Sequence, residues 1–312
     1  MEIKNVLQEV SETSWILGGK LLLSRTSTPT PGKPSWSSGK GDFYTISEAP
    51  SPLPPVRSPS YTDQSFKLLC YAHEWKATWR IGEAYLLVQK PASPYSAREH
   101  TTLEYIQSKG DLGFVTPQVH YHDEFDGRYY LILNDMPGEC MQKVWYTLGP
   151  EEKTYYIEQV VKMVKQLSEW QSDTMEGAGG GPVLEWFLND PITGDSNVKP
   201  ENLLKTAAAM DMDCSSFHFS HNDLKPCRIT VNGIGKPIGV WNWSTAGFVP
   251  KDWIRTKLLR FRSMDLPSRS DEYNAEVAEW RERIQERLGE EGFPEATAGF
   301  TKFFNALGKR QM

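Results

Sequence analysis

A two-lobed α+β architecture is what the order of patterns along this 312-residue chain predicts. Strand-like runs dominate up to residue 137, and helix-like runs dominate beyond it, with one small hairpin pattern embedded among them. A Pro/Ser-rich tract interrupts the first part. The expected division is an N-terminal segment at 1–25, a flexible insert at 26–60, a strand-rich N-lobe at 61–137 and a helical C-lobe at 138–312, with a cleft between the lobes.

Each element has its own signal. Residues 26–60 read TSTPTPGKPSWSSGKGDFYTISEAPSPLPPVRSPS. Ordering such a tract costs more chain entropy than its few apolar side chains return, so a flexible loop is expected, extended as polyproline II around Pro52–Pro59. The run WKATWRIGEAYLLVQK predicts two strands, at Trp79–Ile81 and Tyr85–Val88, joined at Gly82-Glu83. Ser93–Gln107 reads as a helix with Leu103 and Ile106 on one face. In VTPQVHYHDEFDGRYYLILND, Asp126-Gly127 is a hairpin turn. From Pro150, Ile157, Val160, Val161, Val164 and Leu167 recur at helical spacing, and proline suits the first turn. Gly177–Gly181 is a break, and Ile229–Val231 and Ile238–Trp241 are strand-like. Asp271–Leu288 is helical, with Tyr273, Val277, Trp280, Ile284 and Leu288 in a stripe and Gly289 as its C-terminal cap.

The bulk properties exclude some functions. A net charge of -6 with no basic run of more than a few residues argues against nucleic acid and anionic membrane as partners. No charged stretch followed by an apolar one opens the chain, so no signal peptide is expected. No apolar run is long enough to span a bilayer. A cytoplasmic protein is expected. Cys70, Cys140, Cys214 and Cys227 form no CxxC pair, which points to reduced, mostly buried thiols rather than a thiolate metal site. Eleven tryptophans are mostly core material, with any surplus free to wall a ligand pocket.

Residues 219–253 carry the chemistry: FSHNDLKPCRITVNGIGKPIGVWNWSTAGFVPKDW. This segment resembles the catalytic segment of the aminoglycoside phosphotransferase and choline kinase-like family, of protein-kinase-like fold, and its fungal members in particular. That family shows H-G-D-L-x-P-x-N-I-L-V, a turn, then G-I-I-D-W-E-x-A-G and an aromatic-Pro-x-x-W close. His221, Asp223, Leu224, Pro226, Ile229 and Val231 match the first half. Gly239, Trp243, Ala246, Gly247, Pro250 and Trp253 match the second. YYLILNDMPGECMQKVW, PEEKTYYIEQVVKMVKQL and AREHTTLEYI are similar to upstream pieces of the same family, so the resemblance covers residues 76–260.

The resemblance implies an Asp that orients the attacking hydroxyl, and an Asn and a second Asp that hold Mg2+ beside the nucleotide. Here the first survives as Asp223, while the metal-binding positions are Arg228 and Asn242. Arginine offers no oxygen to a magnesium ion. At about 4 Å and an effective dielectric of about 20, a unit positive charge repels a divalent ion by about 8 kcal/mol before screening. No metal site and no cofactor are therefore expected, and Arg228 is expected to pair with Asp223. Asn222 stands where the family has Gly, a replacement that is tolerated if the backbone there sits at positive φ. If a nucleotide site is retained, Lys90 and Glu99 are its candidates. The family sets its lysine directly after the Val-Val pair, where this chain has Gln89, and adjacent strand residues face opposite ways.

Three functions remain open. The first is a repurposed enzyme of specialised metabolism. It would bind a hydrophobic small molecule against Trp241, Trp243 and Phe248, and use His221, Asp223, Arg228 and Asn242 to promote an ATP-independent reaction, such as a Diels-Alder cyclisation. The second is a residual small-molecule phosphotransferase using Mg-ATP, with another carboxylate such as Asp252 recruiting the metal. The third is a non-catalytic pseudokinase.

Overall fold

The computed structural model describes residues 2–57, 65–91, 98–188, 199–260, 262–269 and 275–310. The chain divides into two compact units, Met1–Pro94 with Pro117–Asp135, and Tyr95–Thr116 with Met136–Met312.

The first unit holds two antiparallel five-stranded sheets. One is ordered β1-β2-β3-β5-β4, from Leu7–Ser11, Ser14–Leu17, Leu21–Thr26, Phe43–Glu48 and Ser35–Ser37. The other is ordered β6-β7-β8-β10-β9, from Phe66–Ala72, Lys76–Ile81, Ala84–Gln89, Arg128–Asn134 and Val119–Phe125. The predicted pair of strands around Gly82-Glu83 and the Asp126-Gly127 hairpin are both present.

One apolar cluster joins residues of both sheets, running from Ile3, Trp15 and Leu23 through Trp36, Tyr44 and Ile46 to Trp79, Val88 and Ile132. This corrects the expectation for residues 26–60. The tract is not a flexible insert: β4 and β5 lie in it, and β5 pairs with β3 from Leu21↔Glu48 to Thr26↔Phe43. The composition misleads because three large side chains carry the burial. Trp36, Tyr44 and Ile46 are buried, and Trp36 Nε1 donates to the Ile81 carbonyl at 2.8 Å. The N-terminal 25 residues belong to the same cluster, with Trp15 packed on Phe66 at 4.6 Å between ring centres. Gly82 is required at its turn: its φ is +61°, and a Cβ there would stand 2.6 Å from the Ser37 carbonyl oxygen. Residues 53–56 carry no regular element, and Ser58–Ser60 lie outside the described residues.

The second unit is helical, with two small sheets. Its helices are α1 (Glu99–Gln107), α2 (Met141–Val144), α3 (Pro150–Ser168), α4 (Pro200–Ala209), α5 (Lys251–Arg260), α6 (Ala275–Glu290) and α7 (Thr297–Arg310). In α3 the predicted apolar face is buried, and the Glu152 carboxylate accepts the Gly149 N–H at 2.9 Å to finish the first turn. The residues expected to open α1 and α6, 93–97 and 271–274, lie outside the described residues. Gly289 does not cap α6. It lies inside the helix against the Arg255 guanidinium, and the left-handed residue is Gly292 at φ +80°.

The small sheets are β11-β14-β15 (Glu139–Cys140, Ile229–Val231, Gly239–Val240) and β12-β13-β16 (Gln171–Ser172, Phe217–Ser220, Gly247–Pro250). β13 runs directly into His221, and β15 runs directly into Trp241, so the two halves of the 219–253 motif leave the ends of two short paired strands. Gly247 permits this: a Cβ would meet the Glu176 carbonyl oxygen at 2.6 Å.

Among the described residues no helix is long and apolar enough to cross a membrane. The cysteines are unpaired, but they are less buried than expected: Cys70 is exposed, and the other three are half-buried.

Trp36→Ala is expected to lower unfolding stability by about 3–5 kcal/mol, the cost of emptying a core indole site. Urea denaturation checks this. A loss under about 0.5 kcal/mol is what a flexible insert would show.

Candidate functional site

The loop from His221 to Arg228 and the turn from Trp241 to Thr245 face each other in the second unit, and backbone hydrogen bonding ties them together. His221 is buried and uses both ring nitrogens on main chain. Nε2 lies 2.9 Å from the Trp241 carbonyl, and Nδ1 lies 3.1 Å from the Asp223 N–H. A carbonyl only accepts and an amide N–H only donates, so the ring is neutral with its proton on Nε2. Burial pushes its pKa down to about 4, against a smaller upward pull from Asp223. His221 therefore braces the loop.

The next residue makes the turn possible. Asn222 sits at φ +63°, the left-handed region that glycine occupies without strain and that Asn tolerates. Its Nδ2 donates to the Thr245 carbonyl at 3.1 Å, and Thr245 Oγ1 donates to the His221 carbonyl at 3.0 Å. The Asn222 carbonyl accepts from Lys257 Nζ. Lys257 Nζ also pairs with Glu185 at 2.6 Å, with side-chain exposures of 9% and 1%. Trp280 Nε1 donates to the Leu224 carbonyl at 3.1 Å. Lys257 and Glu185 escaped sequence reading. Nothing local marks them, because their roles exist only once α5 and residue 185 meet the loop.

Asp223 lies at the centre. Arg228 Nε donates to Oδ2 at 3.0 Å, Lys225 Nζ stands 3.0 Å from Oδ1, and Asn242 Nδ2 donates to Oδ2 at 3.3 Å. The side chain of Asp223 is 15% exposed, those of Lys225 and Arg228 31% each. Burial pushes the Asp223 carboxyl up, but Arg228 first, and then His221 and Lys225, pull it down further, and the net shift is downward. The expected Arg228–Asp223 pair is present. Asn242 shares the left-handed conformation of Asn222, at φ +63°, and its Oδ1 accepts from Ser244 Oγ at 3.4 Å.

The donor set does not fit a divalent metal. Asp223 is the one carboxylate in this cluster, and both its oxygens face cations. No group of three or more His, Cys, Asp or Glu among the described residues is arranged to hold an ion. Asp252 stands in the first turn of α5, where its carboxylate accepts the Asp213 N–H at 3.3 Å.

The other expected site residues separate. Trp243 and Phe248 are buried. Trp243 stacks on Phe114 at 5.9 Å and donates its Nε1 proton to the Val240 carbonyl at 2.8 Å; Phe248 packs on Phe219 at 5.2 Å. Trp241 is partly exposed and next to Asn242. Glu99 is not a surface glutamate: it is buried, and its Oε1 accepts the Trp243 N–H at 2.9 Å. Lys90 is exposed in the first unit, with Nζ 5.1 Å from the centre of the Trp75 ring.

Two outcomes follow from this geometry. First, His221 titrates at about 4 in the folded chain and at about 6.5 when unfolded. The unfolded chain therefore binds more protons between these values. The contribution of neutral His221 is fully present above about pH 6.5 and is lost as pH falls towards 4, about 3 kcal/mol over the interval. His221→Gln, which can donate and accept without titrating, is expected to flatten that part of the stability–pH curve. Equal slopes in the two proteins would show that His221 is not held neutral. Second, Glu185→Ala strands the buried Lys257 ammonium and is expected to cost about 3–5 kcal/mol by denaturant unfolding.

No protein-family model matches the chain, and no curated protein matches it. Among solved structures it is similar to ADP-bound aminoglycoside phosphotransferase APH(2'')-Ib, at 14% identity over 72% of this chain and 77% of that one, with a TM-score of 0.46. It is also similar to APH(2'')-IIa in its streptomycin–ATP ternary complex, at 14% identity over 72% and 78%, TM-score 0.45. A third is APH(3'')-Id from Streptomyces rimosus, at 13% identity over 73% and 86%, TM-score 0.43. The likeness is one of fold.

Proposed function

We propose that this chain is a repurposed kinase-fold enzyme that acts on a small molecule without Mg-ATP. The observation that carries the reading is the Arg228 guanidinium, 3.0 Å from the Asp223 oxygen and standing where the family pattern has a metal-binding Asn. Phosphoryl transfer depends on metal ions to neutralise developing charge and on a free carboxylate to orient the nucleophile. Here a fixed positive charge replaces the ion, and the carboxylate is occupied by Arg228, Lys225 and Asn242. With its pKa lowered, Asp223 is also a weak base.

What remains is a set of hydrogen-bond donors, Arg228, Lys225 and Asn242, beside the partly exposed Trp241. Such donors polarise a carbonyl or enolate oxygen without transferring a proton. That suits a ring closure within one bound substrate, of which a Diels-Alder reaction is one type, where holding the reactive conformer supplies much of the acceleration. The setting in specialised metabolism comes from the resemblance of residues 219–253 to fungal members of the phosphotransferase family. The core positions of Trp243 and Phe248 leave Trp241 as the aromatic contact for such a substrate.

Calorimetry and thermal shift, with ATP and Mg2+ varied separately, test this. The wild-type chain is expected to show no Mg-dependent rise in melting temperature at millimolar Mg-ATP, because a ligand of the native state must raise it. Arg228→Asn combined with Asn242→Asp is expected to introduce one. A Mg-dependent shift in the wild-type chain, with γ-phosphate transferred, would return the protein to the phosphotransferases.

A further inference from the structure

We infer that Lys225 and Arg228 form a metal-independent binding site for an oxyanion, a carboxylate or phosphate group of the ligand, with Asp223 filling the site when it is empty. The inference deepens the ATP-independent reading and rests on it.

Lys225 and Arg228 bring two positive charges to the loop, and Asp223 returns one negative. His221 is neutral, and Lys257 is matched by Glu185. The cluster therefore carries a net single positive charge, one-third exposed at each cationic side chain.

Donor arithmetic points the same way. A guanidinium and an ammonium offer about eight N–H donors, and a carboxylate offers about four lone-pair sites, one of which Asn242 already takes. Arg228 reaches Asp223 through Nε alone, so the outer fork of Nη1 and Nη2 is unspent, and that fork matches a carboxylate or phosphate edge. Neither the Lys225 ammonium nor the Arg228 guanidinium has an acceptor other than Asp223 among the described residues. A buried neutral network would leave no such surplus.

Position adds the third point. The cations are held on a loop whose carbonyls at His221, Asn222 and Leu224 are each bonded to Thr245, Lys257 and Trp280. Donors fixed in this way lose little freedom on meeting an anion. Asn242 Nδ2 and the partly exposed Trp241 lie beside them, so the rest of an organic anion has a polar and an aromatic neighbour.

The test follows the Arg228 Nε–Hε signal by NMR in the full chain, at constant ionic strength, with inorganic phosphate, acetate and ATP in EDTA as separate titrants. A saturable shift with at least one of them is expected. A stronger response to acetate identifies a carboxylate ligand, and a stronger response to phosphate and metal-free ATP identifies a phosphoryl one. Lys225→Gln is expected to raise Kd about tenfold, equivalent to about 1.4 kcal/mol. Asp223→Asn removes the internal competitor and is expected to lower Kd. No saturable shift up to about 50 mM, far above a millimolar Kd, would overturn the inference. So would an Asp223→Asn chain that stays folded by circular dichroism yet binds no more tightly. A shift with ATP that appears only when Mg2+ replaces the EDTA in a further titration would instead overturn the ATP-independent reading, which keeps the two failures apart.

Discussion

The buried ammonium of Lys257 is the contact on which the site depends. It sits between the Glu185 carboxylate and the Asn222 carbonyl, almost out of water, in a place where an unpaired charge would cost several kcal/mol. Because Asn222 is in the left-handed region, its carbonyl turns away from its neighbours and needs a donor from elsewhere in the fold. Lys257 supplies that donor from α5. Thr245, His221 and Trp280 bond three further main-chain groups of the loop, the His221 carbonyl, the Asp223 N–H and the Leu224 carbonyl. The loop is thus held through its backbone, and its side chains at 223, 225 and 228 are left for electrostatics.

That division of labour separates the atoms that shape the loop from those that set its charge. His221, Asn222 and Gly247 shape the backbone: His221 bonds main chain through both ring nitrogens, Asn222 holds a φ of +63°, and Gly247 leaves room for the Glu176 carbonyl. Arg228 places a positive charge against Asp223, and Asn242 Nδ2 adds a further donor to the same carboxylate. Structure and chemistry at this site are carried by different atoms, so one changes while the other persists.

The aromatic residues show where reading a motif falls short. Trp241, Trp243 and Phe248 sit close together in sequence, and a common pocket was the natural expectation. Alternation along short strands and a turn sends them to different places. Trp243 goes into the core beneath His221, Phe248 joins Phe219, and Trp241 stays partly exposed beside Asn242. The same limit applies to Glu99. Helix pattern alone gives no sign that its carboxylate caps the backbone N–H of Trp243, 144 residues away.

By itself the sequence determined the strand pair at Gly82-Glu83, the Asp126-Gly127 hairpin, the apolar face of α3 and the pairing of Arg228 with Asp223. Each of these is written in periodicity, or in residues five or fewer positions apart. Only the tertiary structure decided that Ser35–Ser37 and Phe43–Glu48 are strands, because Trp36, Tyr44 and Ile46 are buried in one cluster with Trp15, Trp79 and Val88, which are distant in sequence. It also decided that Lys257 and Glu185 meet under the loop, and that His221 is a neutral brace. Burial and long-range hydrogen bonds set these outcomes. A tract rich in proline and serine, a lysine on a helix and a histidine in a motif carry no local mark of which distant groups will surround them.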